Sequence, residues 1–339
     1  MTNRILPENN NAQNRNQTDS HNTHDTASPL SDQAYRPFGS QLELVLRQMC
    51  HNRLSAINWF RTDWQRGGAL TGYATYENDN GQQQPVVVKL PVPPLERLWL
   101  ERLQNSDNVV PTLYANGQSL GQYDLAWVIM EQLPHGPLGS AWKGKEFDLL
   151  VNAAGRFYAA AAEYPVDGPP PKSDWAKVLD RARKQISRHN LPDKQQWNNI
   201  LKKSNRKIKD WIQIWDNRKT DQWCHGDLHL ANAMTRTAPP EGPALLIDFA
   251  KIHHGHWVED AIDFEHLYWS QPNRLDGRKL CKAFAHERKQ LGLQADRDWP
   301  RLASVVRALF AIRTLIIMEQ EGSPSHLSAA LAILERELS

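Results

Sequence analysis

Three side chains with oxygen ligands, Asp227, Asn232 and Asp248, are spaced for chemistry on phosphate. Asp227 and Asn232 lie five residues apart in the segment HGDLHLAN, and Asp248 follows the apolar run ALLI. A carboxylate such as Asp227 can orient a hydroxyl group and accept its proton during phosphoryl transfer. Asn232 and Asp248 offer the oxygen ligands that Mg²⁺ prefers, without the nitrogen or sulfur donors that favour zinc. The intervening APPEGP has the composition of a turn and predicts a short hairpin.

A cationic group that could hold phosphates stands at the end of an earlier strand-like run. Lys89 lies in VVVKL, and the helix-like segment PPLERLWLERLQ follows it. In protein kinases the lysine at such a strand pairs with a glutamate of the next helix. Glu96 is the first candidate for that pairing, and Glu101, further along the same helix, is the alternative. The sequence leaves this choice open.

Together these segments resemble the aminoglycoside phosphotransferase and choline kinase-like family, which are small-molecule kinases with the protein-kinase fold. The family's loop H-G-D-x-H-x-x-N, followed by I-D-[FW], matches residues 225–232 and 247–249. The resemblance runs from about residue 40 to the end of the chain. It implies that ATP and Mg²⁺ are bound and that the γ-phosphoryl group passes to a hydroxyl of a small molecule. Asp227 would then be the catalytic residue, Asn232 and Asp248 the metal ligands, and Lys89 the clamp on the ATP phosphates.

The resemblance also implies further contacts with the nucleotide. The segment MEQL would be the hinge between the lobes and would meet adenine through Met130, Glu131 and Leu133. The segment RGGALTG departs from G-x-G-x-x-G, but its glycines would cover the phosphates: Gly67, Gly68 and Gly72. Asp260, in EDAIDF, would support the catalytic loop.

Two other interpretations of these segments stay open. A metal-dependent hydrolase could use His225, Asp227 and His229 as ligands, together with the histidines of HHGH, which are His253, His254 and His256. Such a protein would hold a transition metal tightly. A pseudokinase would bind nucleotide without turnover, which the irregular glycine segment permits. We expect His225 and His229 to support the loop, and HHGH to be a polar loop.

The acceptor is predicted only as a class. Trp257 and Trp269 flank VEDAIDFEHLY, a segment that lies near the acceptor side of the cleft in the resembling family. Aromatic faces beside Glu259, Asp263 and Glu265 would suit a cationic amine, an amino-alcohol or an amino-sugar. Acidic residues are also favoured at a helix N-terminus without any ligand, so this pattern alone does not decide.

The composition argues against several other classes of protein. A net charge of +2 gives no bulk attraction to nucleic acid or to an anionic membrane. The most apolar segment, ALFAIRTLIIM, is interrupted by Arg313 and is too short to span a bilayer. The three cysteines, Cys50, Cys224 and Cys281, are widely spaced, which argues against disulfides or a zinc knuckle. We expect a cytoplasmic protein; no pattern indicates its oligomeric state.

Three regions must position these residues. Residues 1–34 are polar and predict a disordered tail. Residues 35–133 predict a nucleotide-binding lobe with a small antiparallel sheet, preceded by a helix whose apolar face would hold Leu42, Leu44, Val45 and Met49. Residues 134–339 predict a larger, mainly helical lobe for catalysis and substrate binding, in which Ser173 would cap a helix. The expected fold is α+β, bilobal and like that of protein kinases.

Overall fold

The computed structural model describes residues 42–60, 69–140, 144–166, 168–189, 191, 193–321 and 323–339. The predicted disordered tail of residues 1–34 lies outside these ranges, and so do Gly67 and Gly68. The phosphate-covering role of those two glycines therefore stays a prediction.

A five-stranded antiparallel sheet follows a short helix, α1, at residues 42–49. Its strands are β1 (Asn58–Phe60), β2 (Leu70–Glu77), β3 (Gln83–Leu90), β4 (Leu113–Gly117) and β5 (Trp127–Glu131). They lie in the order β1-β2-β3-β5-β4. Burial alternates along β3, as its β-branched residues favour: Val86 and Val88 are fully buried, whereas Val87 and Lys89 are half-buried on the other face.

The two faces of this sheet belong to two different hydrophobic clusters. On one face, Val86 and Val88 pack with Leu46 of α1. On the other face, Val128 and Met130 of β5 join the large cluster that the helices of the rest of the chain build. The second face, which also carries Lys89, is therefore the one turned toward the remainder of the protein.

Helix α1 buries a different stripe from the predicted one. Leu42, Leu46 and the adjoining Cys50 are buried, whereas Leu44 is 61% exposed and Met49 is 39% exposed. The prediction of a shared face that includes Leu44 and Met49 is therefore wrong. Residues four apart lie on the same side of a helix, and the stripe that starts at Leu42 is the one that meets the sheet.

Helices make up most of the chain beyond the sheet. Helix α2 (Pro94–Arg102) lies between β3 and β4 and begins with proline in its first turn, where a missing N–H costs nothing. The later helices are α3 (Glu146–Ala161), α4 (Trp175–Arg188), α5 (Lys194–Asp216), α6 (Val258–His266), α7 (Leu280–Gln290), α8 (Trp299–Glu321) and α9 (Pro324–Leu338). Among the described helices, none has an apolar stretch of the length that a bilayer crossing needs.

The cap of α4 differs from the predicted one by one residue. The side chain of Asp174, and not that of Ser173, accepts a hydrogen bond from the Lys177 backbone N–H at 3.0 Å. Aspartate and serine are about equally good at this position, so the sequence SD offers two competing caps. In the structure Asp174 is the residue at the N-cap position of α4.

The polar segments of the sequence lie in and beside two small pairs of antiparallel strands. Strands β6 (Gln222–Cys224) and β9 (His253–Gly255) pair with each other, as do β7 (Ala233–Thr235) and β8 (Ala244–Leu246). Ala233 lies opposite Leu246, so the residues just before β7 and just after β8 meet at one end of their pair. This small antiparallel sheet with a larger, mainly helical part confirms the predicted α+β fold.

Candidate active site

Lys89 joins the sheet to the rest of the protein through two carboxylates. Its Nζ lies 2.6 Å from Oε1 of Glu96 and 3.4 Å from Oδ1 of Asp248. Glu101, the alternative partner, instead pairs with Arg97 at 2.9 Å. Burial by itself would lower the pKa of Lys89, but the two carboxylates more than compensate and hold that pKa above its usual value. The lysine is therefore a fixed positive charge within reach of the Asp248 side chain.

Asp260 of α6 supports the loop that contains Asp227. The buried Asp260 carboxylate accepts hydrogen bonds from the backbone N–H groups of His225 and Gly226, both at 2.9 Å, and from the Tyr158 hydroxyl at 2.9 Å. Gly226 has a φ of +77°, and a Cβ at this position would lie 2.1 Å from the Lys251 carbonyl oxygen. Only glycine can make this turn, which directs the next residue, Asp227, out of the loop.

His225 connects the loop to the strand that leads to Asp248. Its Nε2 lies 3.1 Å from the carbonyl oxygen of Ile247, and its Nδ1 accepts a hydrogen bond from the Asp227 N–H at 3.3 Å. These partners assign the Nε2–H tautomer. Burial lowers the pKa of His225 and outweighs nearby carboxylates, so the ring is neutral. His225 therefore has a structural role, because it connects the loop to the residue before Asp248.

Asn232 and Asp248 lie together at the end of the β7–β8 pair. Asn232 directly precedes β7, and its carbonyl oxygen accepts the N–H of Ile247 at 3.0 Å. Its side-chain N–H donates to the Asp227 carbonyl at 2.9 Å, so the amide oxygen is the atom of this side chain that could bind a cation. Asp248 has a left-handed backbone and is 40% exposed. One carboxylate and one amide oxygen form a donor set that fits Mg²⁺ and is unsuited to zinc.

Asp227 has a cationic neighbour that the sequence analysis did not single out. Lys251 Nζ lies 2.9 Å from Asp227 Oδ1, and His229 Nε2 lies 3.9 Å from the same oxygen. Burial lowers the pKa of His229, so the neutral ring adds no charge at this position. Lys251 comes three residues after Asp248, at the end of a 3-10 turn (Phe249–Lys251). The one sequence feature that could have pointed to Lys251 is its proximity to the IDF motif.

The predicted hinge crosses from the sheet to the helical part at Glu131. Met130 is buried in β5, and the Glu131 carboxylate receives two hydrogen bonds from Arg236, both of 2.7 Å. The segment is tied again where His135 and Thr235 exchange backbone hydrogen bonds. The Glu131 side chain is therefore engaged within the protein, and Leu133 is buried. Only backbone groups of this segment remain suited to the adenine contact predicted for it.

Gly72 does not lie where the resemblance placed it. It is within β2, opposite Val88, and a Cβ here would be 2.4 Å from Cγ2 of Ile57. This contact is on the face turned toward α1, away from Lys89. The reason for glycine is close packing in the sheet, and the phosphate-covering role predicted for Gly72 does not fit this position.

The acids expected on the acceptor side are mostly paired inside the protein. Glu259 contacts Arg218 at 2.7 Å, and Glu265 accepts two hydrogen bonds from Arg307, at 2.7 and 2.8 Å. Trp257 is fully buried, and Trp269 stacks on the ring of His326. Asp263 is different: its side chain is 25% exposed, and its charged neighbours include Asp227 and Lys251. Of the three acids, Asp263 alone is close to the candidate catalytic residue.

The histidines of HHGH serve local structure. His253 binds Glu259, which together with a backbone carbonyl overcomes the effect of burial and raises the pKa of His253 to about 9. His254 lies in β9 opposite Trp223, and His256 contacts Asp296 at 3.3 Å. Across the described ranges there is no group of three or more His, Cys, Asp or Glu side chains suited to hold a metal ion. The geometry thus gives the hydrolase interpretation no support.

Comparison with known proteins adds a family and a fold. The sequence profile of the phosphotransferase enzyme family matches residues 72–304. No curated protein sequence matches the chain significantly. A solved spectinomycin phosphotransferase, in complex with ADP and spectinomycin, has a TM-score of 0.53 and 12% identity, over 88% of this chain and 93% of that one. An aminoglycoside phosphotransferase from Alicyclobacillus acidocaldarius has a TM-score of 0.50 and 13% identity, over 84% and 90%. At such identities the likeness concerns the fold.

Proposed function

Because the chain belongs to the phosphotransferase enzyme family and is a small-molecule phosphotransferase, we propose that it uses ATP with Mg²⁺ and transfers the γ-phosphoryl group to an alcohol. One observation carries this proposal. Lys89, paired with Glu96 in the first part of the chain, contacts Asp248 in the second part, so the cation proposed to bind phosphate and the carboxylate proposed to bind the metal lie side by side.

Asp227 is the group proposed to act on the acceptor. Its carboxylate orients the acceptor hydroxyl and accepts its proton as the hydroxyl oxygen bonds to the γ-phosphorus. The bond between that phosphorus and the bridging oxygen breaks, and ADP leaves with the electron pair. Lys251, at 2.9 Å from Asp227, balances the negative charge of the carboxylate and limits its rotation.

Asn232 and Asp248 are proposed to hold the metal through the amide oxygen and the carboxylate described above. When bound, Mg²⁺ would neutralise charge on the ATP phosphates. Lys89 would hold the phosphates from the side of the sheet. The proposed adenine contact is the backbone of Met130, Glu131 and Leu133. The reason is that the side chains of Met130 and Leu133 are buried and the Glu131 side chain is paired with Arg236.

The acceptor is proposed to be an alcohol with a single amino group. Asp227 is already paired with Lys251, so Asp263 is the carboxylate of this neighbourhood proposed to meet an ammonium group, and Arg313 adds a positive charge beside it. An acceptor with several ammonium groups would meet these cations, which costs free energy where solvent is partly excluded. Charge balance therefore favours a singly charged amino-alcohol over a polycation.

The test is ATP-dependent transfer to a panel of amines, sugars and amino-alcohols in the presence of Mg²⁺. Wild type is compared with Asp227→Asn, which keeps the size of the side chain and removes its basicity. We expect product from the wild type and a fall in kcat of roughly a hundredfold or more in the variant, with unchanged ATP binding.

The same experiment separates the other interpretations. ATP binding by both proteins without transfer to any acceptor would indicate a pseudokinase. Activity that depends on a tightly held transition metal, and that persists in Lys89→Ala, would indicate a hydrolase.

A further inference from the structure

Helices α4 and α5 carry far more positive charge than the rest of the chain. They contain eleven Lys and Arg residues against three Asp residues. The whole chain has 40 basic and 38 acidic residues, so the small net charge hides a strong separation of charge. Bases that are gathered on one part of a surface attract a polyanion even where the net charge of the protein is close to zero.

The inner sides of these two helices are fixed by packing. Both helices pack on α8 and on each other. Trp175 of α4 contacts Trp215 of α5 and Phe310 of α8. Both helices lie within the described ranges, and neither has a large apolar side chain among its exposed residues. The sides that face away from α8 are therefore polar.

The bases recur at helical spacing on these outer sides. In α5, Lys202, Arg206 and Lys209 are exposed and lie four and three residues apart, so they share one side of the helix. In α4 the same spacing holds for four exposed bases: Lys177, Arg181, Lys184 and Arg188. We call these seven residues the basic face.

Little of the charge on the basic face is neutralised within the protein. Lys177 lies 4.0 Å from Asp174, and both side chains are more than half exposed. The other six bases have no acidic partner in the part of the chain that the structure describes. Like charges four residues apart destabilise a helix, and Lys202 with Arg206 is one such pair. A bound polyanion would remove this repulsion.

Uncharged side chains on the outer side of α5 favour nucleic acid as the partner. Gln195, Asn199 and Gln213 are exposed and continue the line of Lys202 and Lys209. Amide side chains bind phosphate and sugar oxygens beside Lys and Arg. A helix that lies on a membrane presents large apolar residues beside its bases, and a surface for single strands presents aromatic rings. The four tryptophans of these two helices are all buried, so a duplex suits the surface better.

We propose that the basic face binds double-stranded nucleic acid through its phosphates. Helix α5 has 23 residues and is therefore about 34 Å long, close to one turn of a duplex. From Lys202 to Lys209 the helix rises about 10 Å, a length over which one strand of a duplex carries about three phosphates. The inference does not depend on the proposed function, because no residue of the basic face belongs to the proposed site.

The experiment compares two triple variants that lose the same charge. One variant replaces the three bases of the α5 part of the basic face: Lys202→Gln, Arg206→Gln and Lys209→Gln. The control replaces three exposed lysines in and beside α7: Lys279→Gln, Lys282→Gln and Lys289→Gln. Glutamine keeps the helix propensity of lysine and arginine, and thermal melting shows that each variant is folded.

Binding is measured with nucleic acids and with a membrane surface. Fluorescence anisotropy at several salt concentrations gives the dissociation constants of labelled DNA and RNA duplexes of about 20 base pairs, which is about two turns. Single strands of the same length are measured in the same way. Vesicles of phosphatidylcholine with phosphatidylserine, followed by sedimentation, provide the membrane surface.

We expect the wild type to bind at least one of the two duplexes, and the tighter one identifies the nucleic acid. In the α5 variant the affinity at low salt should fall roughly tenfold, and the salt slope should be smaller by about 2 to 3, since each phosphate contact contributes about 0.9. The control should stay within about twofold of the wild type. Binding to neither duplex, unchanged affinity in the α5 variant, equal losses in the two variants, or tighter binding to single strands or vesicles would overturn the inference.

Discussion

Lys251 Nζ lies 2.9 Å from Oδ1 of Asp227, so the candidate catalytic carboxylate is held in an ion pair. The Lys251 side chain is 38% exposed. Lys251 is the last residue of the 3-10 turn that directly follows Asp248. The same short segment thus supplies the proposed metal ligand and the cation beside the proposed base. A change in this turn would disturb both.

Lys251→Ala is expected to lower kcat by roughly ten- to hundredfold, because a carboxylate displaced by about 1 Å loses the reactive geometry. Lys251→Arg should recover part of the loss. The measurement is steady-state transfer at saturating MgATP. Lys282→Ala, which removes an exposed lysine of α7, is the control and should behave as wild type. Unchanged kcat in Lys251→Ala would refute the role.

Glu96 and Glu101 lie on one helix and offer a matched pair of variants. Glu96→Gln leaves Lys89 without its nearest carboxylate, and breaking a buried ion pair costs several kcal/mol, so kcat/KM for MgATP should fall roughly tenfold or more. Glu101→Gln breaks only the partly exposed contact with Arg97 and should have little effect. Equal losses in the two variants would contradict the pairing seen in the structure.

Asp248 combines a proposed chemical role with a strained backbone. Its φ of 66° and ψ of 64° are left-handed, a conformation that asparagine tolerates better than alanine. We expect Asp248→Asn and Asp248→Ala both to lose the rise in Tm that MgATP produces in the wild type. Without ligand, Asp248→Ala should be the less stable of the two, by about 1 kcal/mol. Retained stabilisation by MgATP in Asp248→Ala, which has no oxygen ligand in its side chain, would argue against metal binding there.

Asp260 is expected to matter for folding and for activity together. Asp260→Ala leaves the buried N–H groups of His225 and Gly226 without an acceptor, and each loss costs about 1–3 kcal/mol. The free energy of unfolding from urea titration should fall accordingly, and kcat should fall because the loop loses its support. Asp210→Ala, at an exposed position of α5, serves as control. A stable, fully active Asp260→Ala protein would show that the support is dispensable.

Asp263 should make stability depend on pH. Burial raises the pKa of Asp263 from 3.8 to about 6 and Asp227 adds to this effect, whereas Arg313, Lys251 and His229 oppose it. The folded protein therefore binds the proton more tightly than the unfolded chain, so the free energy of unfolding falls as pH rises from about 4 to about 6.

Asp263→Asn should flatten this dependence and raise Tm by a few degrees at pH 8. If Asp263 also binds the amino group of the acceptor, KM for an amino-alcohol should rise in the variant, while KM for the corresponding diol should not. Thermal melts across pH test the first effect, and kinetics with 1-amino-2-propanol and 1,2-propanediol test the second. An unchanged pH profile would contradict the buried position of this carboxyl.

Residue types and their spacing were enough to predict the α+β fold and the order of the proposed site residues along the chain. The motifs around Asp227 and Asp248 are local, and the left-handed backbone at position 226 by itself favours glycine. Helical spacing indicates one face of α5, and its five large apolar residues are all buried: Trp197, Ile200, Ile208, Trp211 and Trp215. Such features depend on neighbours along the chain, which a sequence displays directly.

The partner of each charged side chain, by contrast, is set by packing between segments that are far apart in the chain. Lys89 selects Glu96 and not Glu101 because helix α2 turns one face to the sheet. Glu259 pairs with Arg218, which follows α5, and Glu265 pairs with Arg307 of α8, whereas Asp263 has Asp227 among its charged neighbours. The buried stripe of α1 and the contact of Lys251 with Asp227 likewise depend on packing between distant segments. Partners far apart in sequence are set by the register of strands and the rotation of helices, and neither is encoded in residue spacing.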